Sequence, residues 1–206
     1  MSELPGRRTP PEALHADPTA PADPASRATP ADDTARAVSG GRRARTPSFT
    51  VADFRSALGM FATGVTVVTG RGASGGCFGL TANSFNSVSL APPLVLWSLA
   101  RSAGSMPHFE RGSHYAINIL SADQRALAER FASKTVDRFA GVAWQEGACG
   151  APLLDGAAAV FECFNRSRYE EGDHVIFIGE VERCRVDARA TPLIFHGGRY
   201  YTELPL

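Results

Sequence analysis

The sequence lacks three features: an excess of one charge, a long hydrophobic run and closely spaced cysteines. Its 206 residues contain 21 Lys and Arg against 21 Asp and Glu, which leaves a formal net charge of zero. A dedicated nucleic-acid-binding protein carries a basic excess, and electrostatic attachment to a membrane surface also needs one. No apolar run approaches the roughly 20 residues of a membrane-spanning helix. We therefore expect neither nucleic acid nor a membrane among the partners.

Patterns typical of metal sites and disulfide scaffolds are also missing. The four cysteines, Cys77, Cys149, Cys163 and Cys184, contain no C-x-x-C pair and are too sparse for a disulfide framework. The five histidines show no H-E-x-x-H or similar metal spacing. The sequence therefore predicts reduced, buried thiols, a cytoplasmic protein and no metal site.

The first 47 residues lack the side chains that build a core. They contain eight of the 14 prolines and no Phe, Tyr, Trp or Ile. Such a segment cannot bury enough apolar surface to offset the entropy lost on ordering. We predict a disordered Pro/Ala/Arg-rich tail over residues 1–47 and one compact domain over residues 48–206.

The predicted domain opens with a capped helix. Thr50 and Asp53 are spaced as a capping box, and Gly64 is expected to end the helix. Four apolar side chains fall on one helical face: Val51, Phe54, Leu58 and Phe61.

Strand-like stretches predominate after this helix. Two more short helices are predicted to begin at Ser105 and Ser121. Six or more strands with three short helices favour a mainly β fold, a β-barrel with peripheral helices. A doubly wound parallel sheet is disfavoured because the strands do not alternate with long helices. The predicted strands lie near residues 65–69, 78–90, 94–99, 115–120, 158–169, 174–186 and 199–202.

Residues 70–75 match the dinucleotide-binding pattern G-x-G-x-x-G and follow a strand. That fingerprint needs a helix directly afterwards, and the residues that follow have the pattern of another strand. Residues 72–76 match G-x-S-x-G but fail as a nucleophile elbow for the same reason. We interpret the segment as a glycine-rich hairpin turn.

Polar residues interrupt the next strand-like stretches. Thr81, Asn83 and Ser84 place several donors and acceptors along one extended segment, which suits a ligand rich in oxygen and nitrogen. A sheet edge that faces water explains them equally well. Arg101 follows, and Ser105 is expected to cap a short helix. A guanidinium, a hydroxyl and a helix start together favour a phosphate site over a merely exposed arginine.

Five groups of motifs follow one another between about residues 54 and 202. With this ordered set the domain resembles the flavin reductase family, the small reductase components of two-component flavin-dependent monooxygenases. The resemblance implies an FMN-binding split β-barrel and a homodimer with flavin near the subunit interface. The motifs are Phe54-Arg55-x-Ala57-Leu58-Gly59-x-Phe61-Ala62-Thr63-Gly64-Val65-x-Val67-Val68-Thr69, the stretch 81–94 with Pro92-Pro93-Leu94-Val95, Arg138-Phe139-Ala140-Gly141-Val142-x-Trp144, Gly172-Asp173-His174 with Gly179-x-Val181, and Pro192-Leu193-x-Phe195-x-x-Gly198-x-Tyr200.

The resemblance also implies which residues hold the cofactors. His174, after Gly172 and Asp173, is implied to position the nicotinamide without transferring a proton. The residues implied to line the flavin ring and ribityl chain are Thr81, Ala82, Asn83 and Ser84. Those implied to bind phosphate are Ser98, Arg101 and Ser105. Three further residues implied to approach the flavin are Phe139, Gly141 and Tyr200.

The implied activity is that of an NAD(P)H:flavin oxidoreductase. A hydride passes from NADH or NADPH to FMN or FAD, and the reduced flavin serves a partner monooxygenase. Such a transfer between cofactors needs no protein nucleophile, so the lack of a catalytic triad agrees with it. Two alternatives stay open: a split-barrel oxidase with tightly bound FMN, and a non-catalytic flavin-binding electron carrier.

Overall fold

Twelve β-strands and three α-helices lie in the residues that the computed structural model describes, 45–134 and 137–203. Residues 1–44 of the predicted tail lie outside the described residues, so the boundary after residue 47 stays a prediction. The helices are α1 (Val51–Gly59), α2 (Met106–Arg111) and α3 (Arg125–Ala132). The strands are β1 (Thr63–Gly64), β2 (Thr66–Arg71), β3 (Cys77–Ala82), β4 (Asn86–Leu90), β5 (Pro93–Ala100), β6 (His114–Ile119), β7 (Trp144–Glu146), β8 (Pro152–Leu154), β9 (Ala159–Glu171), β10 (His174–Val186), β11 (Leu193–His196) and β12 (Arg199–Thr202).

Seven strands form one antiparallel sheet in the order β3-β2-β6-β9-β10-β5-β4. Laid flat, seven strands would span about 29 Å. The two edge strands, β3 and β4, are nevertheless consecutive in the chain. The connection from Ala82 to Asn86 reaches at most about 14 Å when extended. The edges must therefore approach each other, and the sheet curls into a barrel.

The barrel interior is lined by aromatic side chains. Trp97 of β5 stacks on Phe177 of β10, with ring centroids 4.8 Å apart and an interplanar angle of 14°. Phe109 of α2 packs edge-on against Trp97, also at 4.8 Å. All three rings are fully buried. Burial of this much aromatic surface is a large stabilising contribution, and it holds α2 against the sheet.

A second core lies between β2 and α3. Val67 of β2 is buried with Phe131 and Ala128 of α3, whereas Val68 belongs to the core of the barrel interior. Strand β2 is thus covered on both faces. This explains why the first five residues of β2 are all buried instead of alternating between buried and exposed.

Two small sheets flank this second core. One has the order β1-β11-β12, and the other is the β7–β8 hairpin. Asn118 of β6 holds β8 in place: its Oδ1 accepts from Leu154 N–H at 2.8 Å, and its Nδ2 donates to the Val67 carbonyl at 3.1 Å. The sequence pattern does not predict β7, β8 or β11, since such short strands have no periodicity of their own.

The segment is a hairpin, as predicted: Gly70 and Arg71 end β2, and residues 72–76 form the turn to β3. Gly72 N–H donates to the Gly76 carbonyl at 2.9 Å, and Gly75 N–H donates to the Gly72 carbonyl at 2.8 Å. Gly75 has φ +84°, a conformation that favours glycine. Because a strand follows and not a helix, the structure excludes the dinucleotide fingerprint at this segment.

Helix α1 has the predicted cap but neither the predicted end nor a buried face. Thr50 N–H donates to Asp53 Oδ2 at 2.9 Å, and Asp53 N–H donates to Thr50 Oγ1 at 3.1 Å. Hydrogen bonds to the Asp53 carboxylate from the Thr50 hydroxyl, at 2.7 Å, and from the Thr50 N–H hold the pKa of Asp53 below its usual value. The helix ends at Gly59, whose carbonyl accepts from Gly197 N–H at 2.9 Å, so the expected end at Gly64 was wrong. The apolar face is present but exposed.

The cysteines differ in exposure. Cys163 is buried in the barrel interior, Cys77 and Cys149 are half-buried, and Cys184 is exposed. The prediction of buried thiols is wrong for Cys184, because side chains on both faces of the last part of β10 are exposed. None of the four forms a disulfide.

We expect an alkylating reagent at pH 8 to modify Cys184 well before Cys163. Burial raises the pKa of Cys163 to about 12, so its reactive thiolate is scarce as well as inaccessible. Peptide mapping by mass spectrometry over a time course measures both rates, and protein unfolded in urea provides the control in which both react. Equal rates in the native protein would show that the barrel opens readily.

Two structural observations concern membranes and metals. Among residues 45–134 and 137–203, no helix is long and apolar enough to cross a membrane. In the same ranges, no three His, Cys, Asp or Glu side chains converge as a metal site requires.

Candidate functional site

The chain crosses from one edge of the sheet to the other through residues 82–86, which we call the seam. Ser84 fastens the seam to β5. Its Oγ accepts from Ser98 N–H at 2.9 Å and donates to the Ser98 carbonyl at 3.1 Å. The predicted flavin-lining residues therefore lie where the barrel closes, and the polar interruption in the sequence marks this closure.

The other three predicted flavin-lining residues differ in their surroundings. Thr81 Oγ1 donates to the Ala128 carbonyl of α3 at 2.7 Å. Ala82 is buried, and its carbonyl accepts from Thr66 Oγ1 at 2.7 Å. Asn83 is exposed. Of these three side chains, that of Asn83 is the most open to a ligand.

The end of β5 lies beside the turn that joins β9 to β10. Ser98 is paired with Ile176 of β10 in the ladder. Beyond the end of β5, Arg101 N–H donates to the Asp173 carbonyl at 3.0 Å. The guanidinium of Arg101 forms an ion pair with Glu170 at 2.8 Å. The predicted phosphate ligand thus lies at the rim of the barrel and already has a carboxylate partner.

Ser105 does not cap α2 with its side chain, contrary to the expectation. Its backbone is helical, with φ −85° and ψ −9°, whereas a capping hydroxyl is normally presented from an extended conformation. Pro107 in the first turn of α2 also removes one of the N–H groups that a cap serves. The helix itself leaves the Ser105 hydroxyl available for another partner.

His174 opens β10 directly after a turn in which Gly172 has φ +60°. Its Nδ1 lies 2.8 Å from Asp173 Oδ1. Because an ionised carboxylate only accepts, Nδ1–H is the donor, and in the neutral ring Nε2 is left as an acceptor. The same hydrogen bond holds the pKa of Asp173 below its usual value. The ring is half-exposed, and His174 is paired with Ala100 of β5.

The remaining predicted residues lie around α3. Phe139 packs edge-on against Phe131 of α3, with centroids 5.0 Å apart. The Arg125 guanidinium lies over the Tyr200 ring at 5.4 Å, and partial burial raises the pKa of Tyr200. Gly141 is exposed with φ +68°. These residues form a second group, next to β3 but separate from the rim at β5.

Arg138 links this second group to β3. Its Nη1 donates to the Gly79 carbonyl of β3 at 2.8 Å, and its Nε donates to the Ser133 carbonyl at 3.0 Å. Gly79 precedes Thr81 by two residues. The guanidinium therefore fixes the backbone that carries Phe139 against the strand that leads into the seam.

We expect Arg138→Ala to lower the free energy of unfolding by about 1 kcal/mol, because the backbone of β3 and the backbone at the end of α3 lose a shared donor. Arg138→Lys should restore little of it, since an ammonium cannot reproduce the fork of the guanidinium. Urea denaturation measures both. Arg189→Ala is the matched control, because the Arg189 side chain is 94% exposed. A loss no larger than that of the control would contradict the bridging role.

The structure brings Ser84, Ser98, Arg101 and His174 together from three separate segments. Arg101 and His174 are exposed at this rim, and Ser84 and Ser98 are half-buried. A cleft of about 510 Å³ beside Ser121 is lined by none of the predicted site residues. A ligand at the rim is therefore accessible to solvent unless a further surface covers it.

Comparison with known proteins decides the family. Residues 58–203 match the model of the flavin reductase like domain, which is more than half of the chain. The chain belongs to this flavin reductase-like family.

Three named relatives of this flavin reductase-like protein all have names that refer to flavin reduction. The FMN reductase (NADH) SmoA of Agrobacterium fabrum is 44% identical over 163 residues, which are 79% of this chain and 88% of SmoA. The NADH:FAD oxidoreductase SgcE6 of Streptomyces globisporus, solved with NAD and FAD fragments, is 41% identical with a TM-score of 0.72, covering 75% of this chain and 93% of SgcE6. The styrene monooxygenase flavin reductase of Pseudomonas putida S12 is 35% identical with a TM-score of 0.69, covering 75% and 99%.

These findings confirm the predicted family and the predicted fold, a mainly β split barrel with a few short helices. They leave the roles of the individual site residues as predictions. Two residues of this flavin reductase-like chain were missed by the sequence analysis: Glu170, the partner of Arg101, and Arg138, the link to β3. Arg138 begins one of the family motifs, and that motif was the sequence signal that could have found it. The contact of Glu170 with Arg101 depends on strand pairing.

Proposed function

We propose that this protein is an NAD(P)H:flavin oxidoreductase that supplies reduced flavin to a separate monooxygenase. The supporting observation is the convergence of Ser84, Ser98, Arg101 and His174 at one rim of a flavin reductase-like barrel. The named relatives are FMN, FAD and monooxygenase-linked reductases, in agreement with the predicted enzyme class and cofactors. Of the two nicotinamides, the relatives' names favour NADH.

The donors at the rim fit a phosphorylated flavin. Arg101 offers a guanidinium, and Ser98 and Ser105 offer hydroxyls that secondary structure does not use for capping. Ile176 and Leu96 supply a half-buried apolar surface on the same face of the sheet as Ser98. The two kinds of surface, the apolar side chains beside Ser98 and the guanidinium of Arg101 beyond the end of β5, suit the ring system and the phosphate of a flavin.

The proposed role of His174 follows from its hydrogen bond to Asp173. The carboxylate fixes the ring with Nδ1–H as donor, which leaves Nε2 to accept from the carboxamide N–H of a nicotinamide. When flavin and nicotinamide are bound, a hydride passes between them, and the cofactors supply that chemistry. The contribution of His174 is to hold the nicotinamide in a reactive position.

We further propose that the protein is a homodimer. Exposed apolar side chains support this, since Phe54 and Leu58 of α1 are 50% and 57% exposed in a single chain, and Phe61, two residues after the end of α1, is 71% exposed. A contiguous apolar surface of this kind marks an interaction site. Light scattering of the full chain is expected to give twice the mass of one chain, and the mass of a single chain would contradict the dimer.

The proposed activity is tested by mixing the protein with excess NADH and a small amount of free FMN or FAD. Many moles of NADH oxidised per mole of protein, followed at the nicotinamide absorbance band, support the reductase. A single stoichiometric bleaching of bound flavin supports an electron carrier instead. Flavin that stays with the protein through repeated turnover and gel filtration supports the oxidase with tightly bound FMN. The monooxygenase partner and the cytoplasmic location, which the reduced cysteines favour, remain proposals.

A further inference from the structure

At the rim, Arg101 and Glu170 form an ion pair that the proposed function does not explain. Nη1 of Arg101 lies 2.8 Å from Oε2 of Glu170. The two residues come from different strands: Glu170 is near the end of β9, Arg101 follows β5, and β10 lies between these strands. Val175 of β10 is paired with Glu170 on one side and with Leu99 on the other. The ion pair therefore spans the first residues of β10.

Arg101, to which the proposed function assigns phosphate binding, is thus already paired with a carboxylate. A carboxylate and a phosphate both bind a guanidinium through the same N–H groups, so they compete for it. We propose that Glu170 sets the affinity of this enzyme for phosphorylated flavins, by holding Arg101 in the free protein and giving way to the phosphate when FMN or FAD binds. The inference rests on the proposed function, in which Arg101 is the phosphate ligand.

The exchange is energetically accessible. Both side chains are largely exposed, 55% for Arg101 and 67% for Glu170, and exposed ion pairs contribute little to stability. A phosphate monoester carries a charge of about −1.5 to −2 near pH 7, against −1 for a carboxylate. The phosphate therefore displaces Glu170, although part of its binding free energy is used to break the existing pair.

The displaced carboxylate has a second cation nearby. Arg168 lies on the same strand two residues earlier and lines a small cleft together with Glu110, Glu170 and Val175. Its guanidinium donates to the backbone carbonyl of Glu110. Glu170 can thus turn from Arg101 toward Arg168 without leaving the surface of β9.

The other acidic groups of the turn act in the same direction. Glu171 and Asp173 flank Gly172, and the hydrogen bond from His174 lowers the pKa of Asp173. The arriving phosphate therefore meets three carboxylates at the tip of the β9–β10 hairpin, beside Arg101 at the end of β5 and Arg168 two residues before Glu170. This arrangement weakens retention of the flavin, which suits an enzyme whose reduced product must leave for a partner.

The test compares FMN with riboflavin, which lacks the phosphate. Titration calorimetry of the full chain with Glu170→Gln is expected to give an FMN dissociation constant about two- to fivefold lower than that of the parent protein. The dissociation constant for riboflavin should not change. Glu146→Gln is the matched control, since it removes the same charge from a different ion pair, that of Glu146 on β7 with Arg71 on β2 at 3.0 Å.

A double-variant comparison makes the test specific to Arg101. In the Arg101→Ala background, Glu170→Gln should no longer strengthen FMN binding. An unchanged FMN constant for Glu170→Gln, an equal gain for riboflavin, or a gain that persists without Arg101 would each overturn the proposal. Failure of the proposed function is seen separately, as an absence of NADH oxidation with any flavin in the parent protein.

Discussion

Arg101→Ala is expected to weaken the binding of FMN by about 1.5–3 kcal/mol, the range for hydrogen bonds to a charged group. The loss should lie toward the lower end of that range. Arg101 is 55% exposed, so solvent screens its charge, and its pair with Glu170 must be broken before phosphate binds. Riboflavin should bind the variant as it binds the parent protein, because the removed contact is specific to phosphate.

Fluorescence titration of both flavins against parent and variant measures this difference. Arg189→Ala serves as the control, because it removes one positive charge from a side chain that is 94% exposed. Any effect of net charge alone then appears in both variants. Equal losses for FMN and riboflavin would show that Arg101 supports the fold of the rim and does not bind phosphate.

The longer strands could be predicted from local pattern alone. The prediction of a strand over 174–186 matches β10 (His174–Val186), and the last predicted strand matches β12 (Arg199–Thr202). Both begin after a turn that contains glycine and continue with residues that favour strands. Strands β7 and β8 have three residues each, and β8 is held by Asn118 of β6, a residue 36 positions away from Leu154. No local signal encodes a contact of that kind.

Helix α1 shows a different limit. Its cap is a local feature and was predicted from Thr50 and Asp53. Its apolar face was also predicted, but a helical periodicity does not say what the face packs against. In a single chain Leu58 is 57% exposed, and Phe61, which lies beyond the end of the helix at Gly59, is 71% exposed. The helix could therefore be predicted from the sequence, whereas the surface that covers its apolar face is assigned only by the proposed dimer.

In the candidate site, too, features local to one segment could be predicted, whereas contacts between distant segments could not. Thr81, Ala82, Asn83 and Ser84 are adjacent in the chain, so one polar interruption was enough to mark them. Their meeting with Ser98 depends on closure of the barrel, and the meeting of Arg101 with Glu170 depends on the register of three strands. The failure of Ser105 as a cap depends on its backbone conformation. Spacing in the sequence contains none of these three facts.

His174→Ala is expected to slow flavin reduction by NADH by as much as about 10²-fold, or to raise KM for NADH correspondingly. Misplacement of a reacting group by about 1 Å has an effect of this order. The affinity for flavin should stay nearly unchanged, because the phosphate contact at Arg101 remains. Stopped-flow measurement at several NADH concentrations separates the reduction rate from KM.

A positioning role for His174 predicts a further result that a purely structural role does not. If Nε2 accepts from the nicotinamide carboxamide, His174→Gln should recover part of the rate, because the Gln amide reaches about as far as Nε2, whereas His174→Asn should recover less. His114→Ala is the matched control, since His114 also opens a strand and has a carboxylate partner, Glu182 at 3.5 Å. On β9 the partners of the two histidines, Phe164 and Glu171, are about 23 Å apart. A parent-like rate and KM for His174→Ala, or equal effects of both alanine variants, would place the nicotinamide elsewhere.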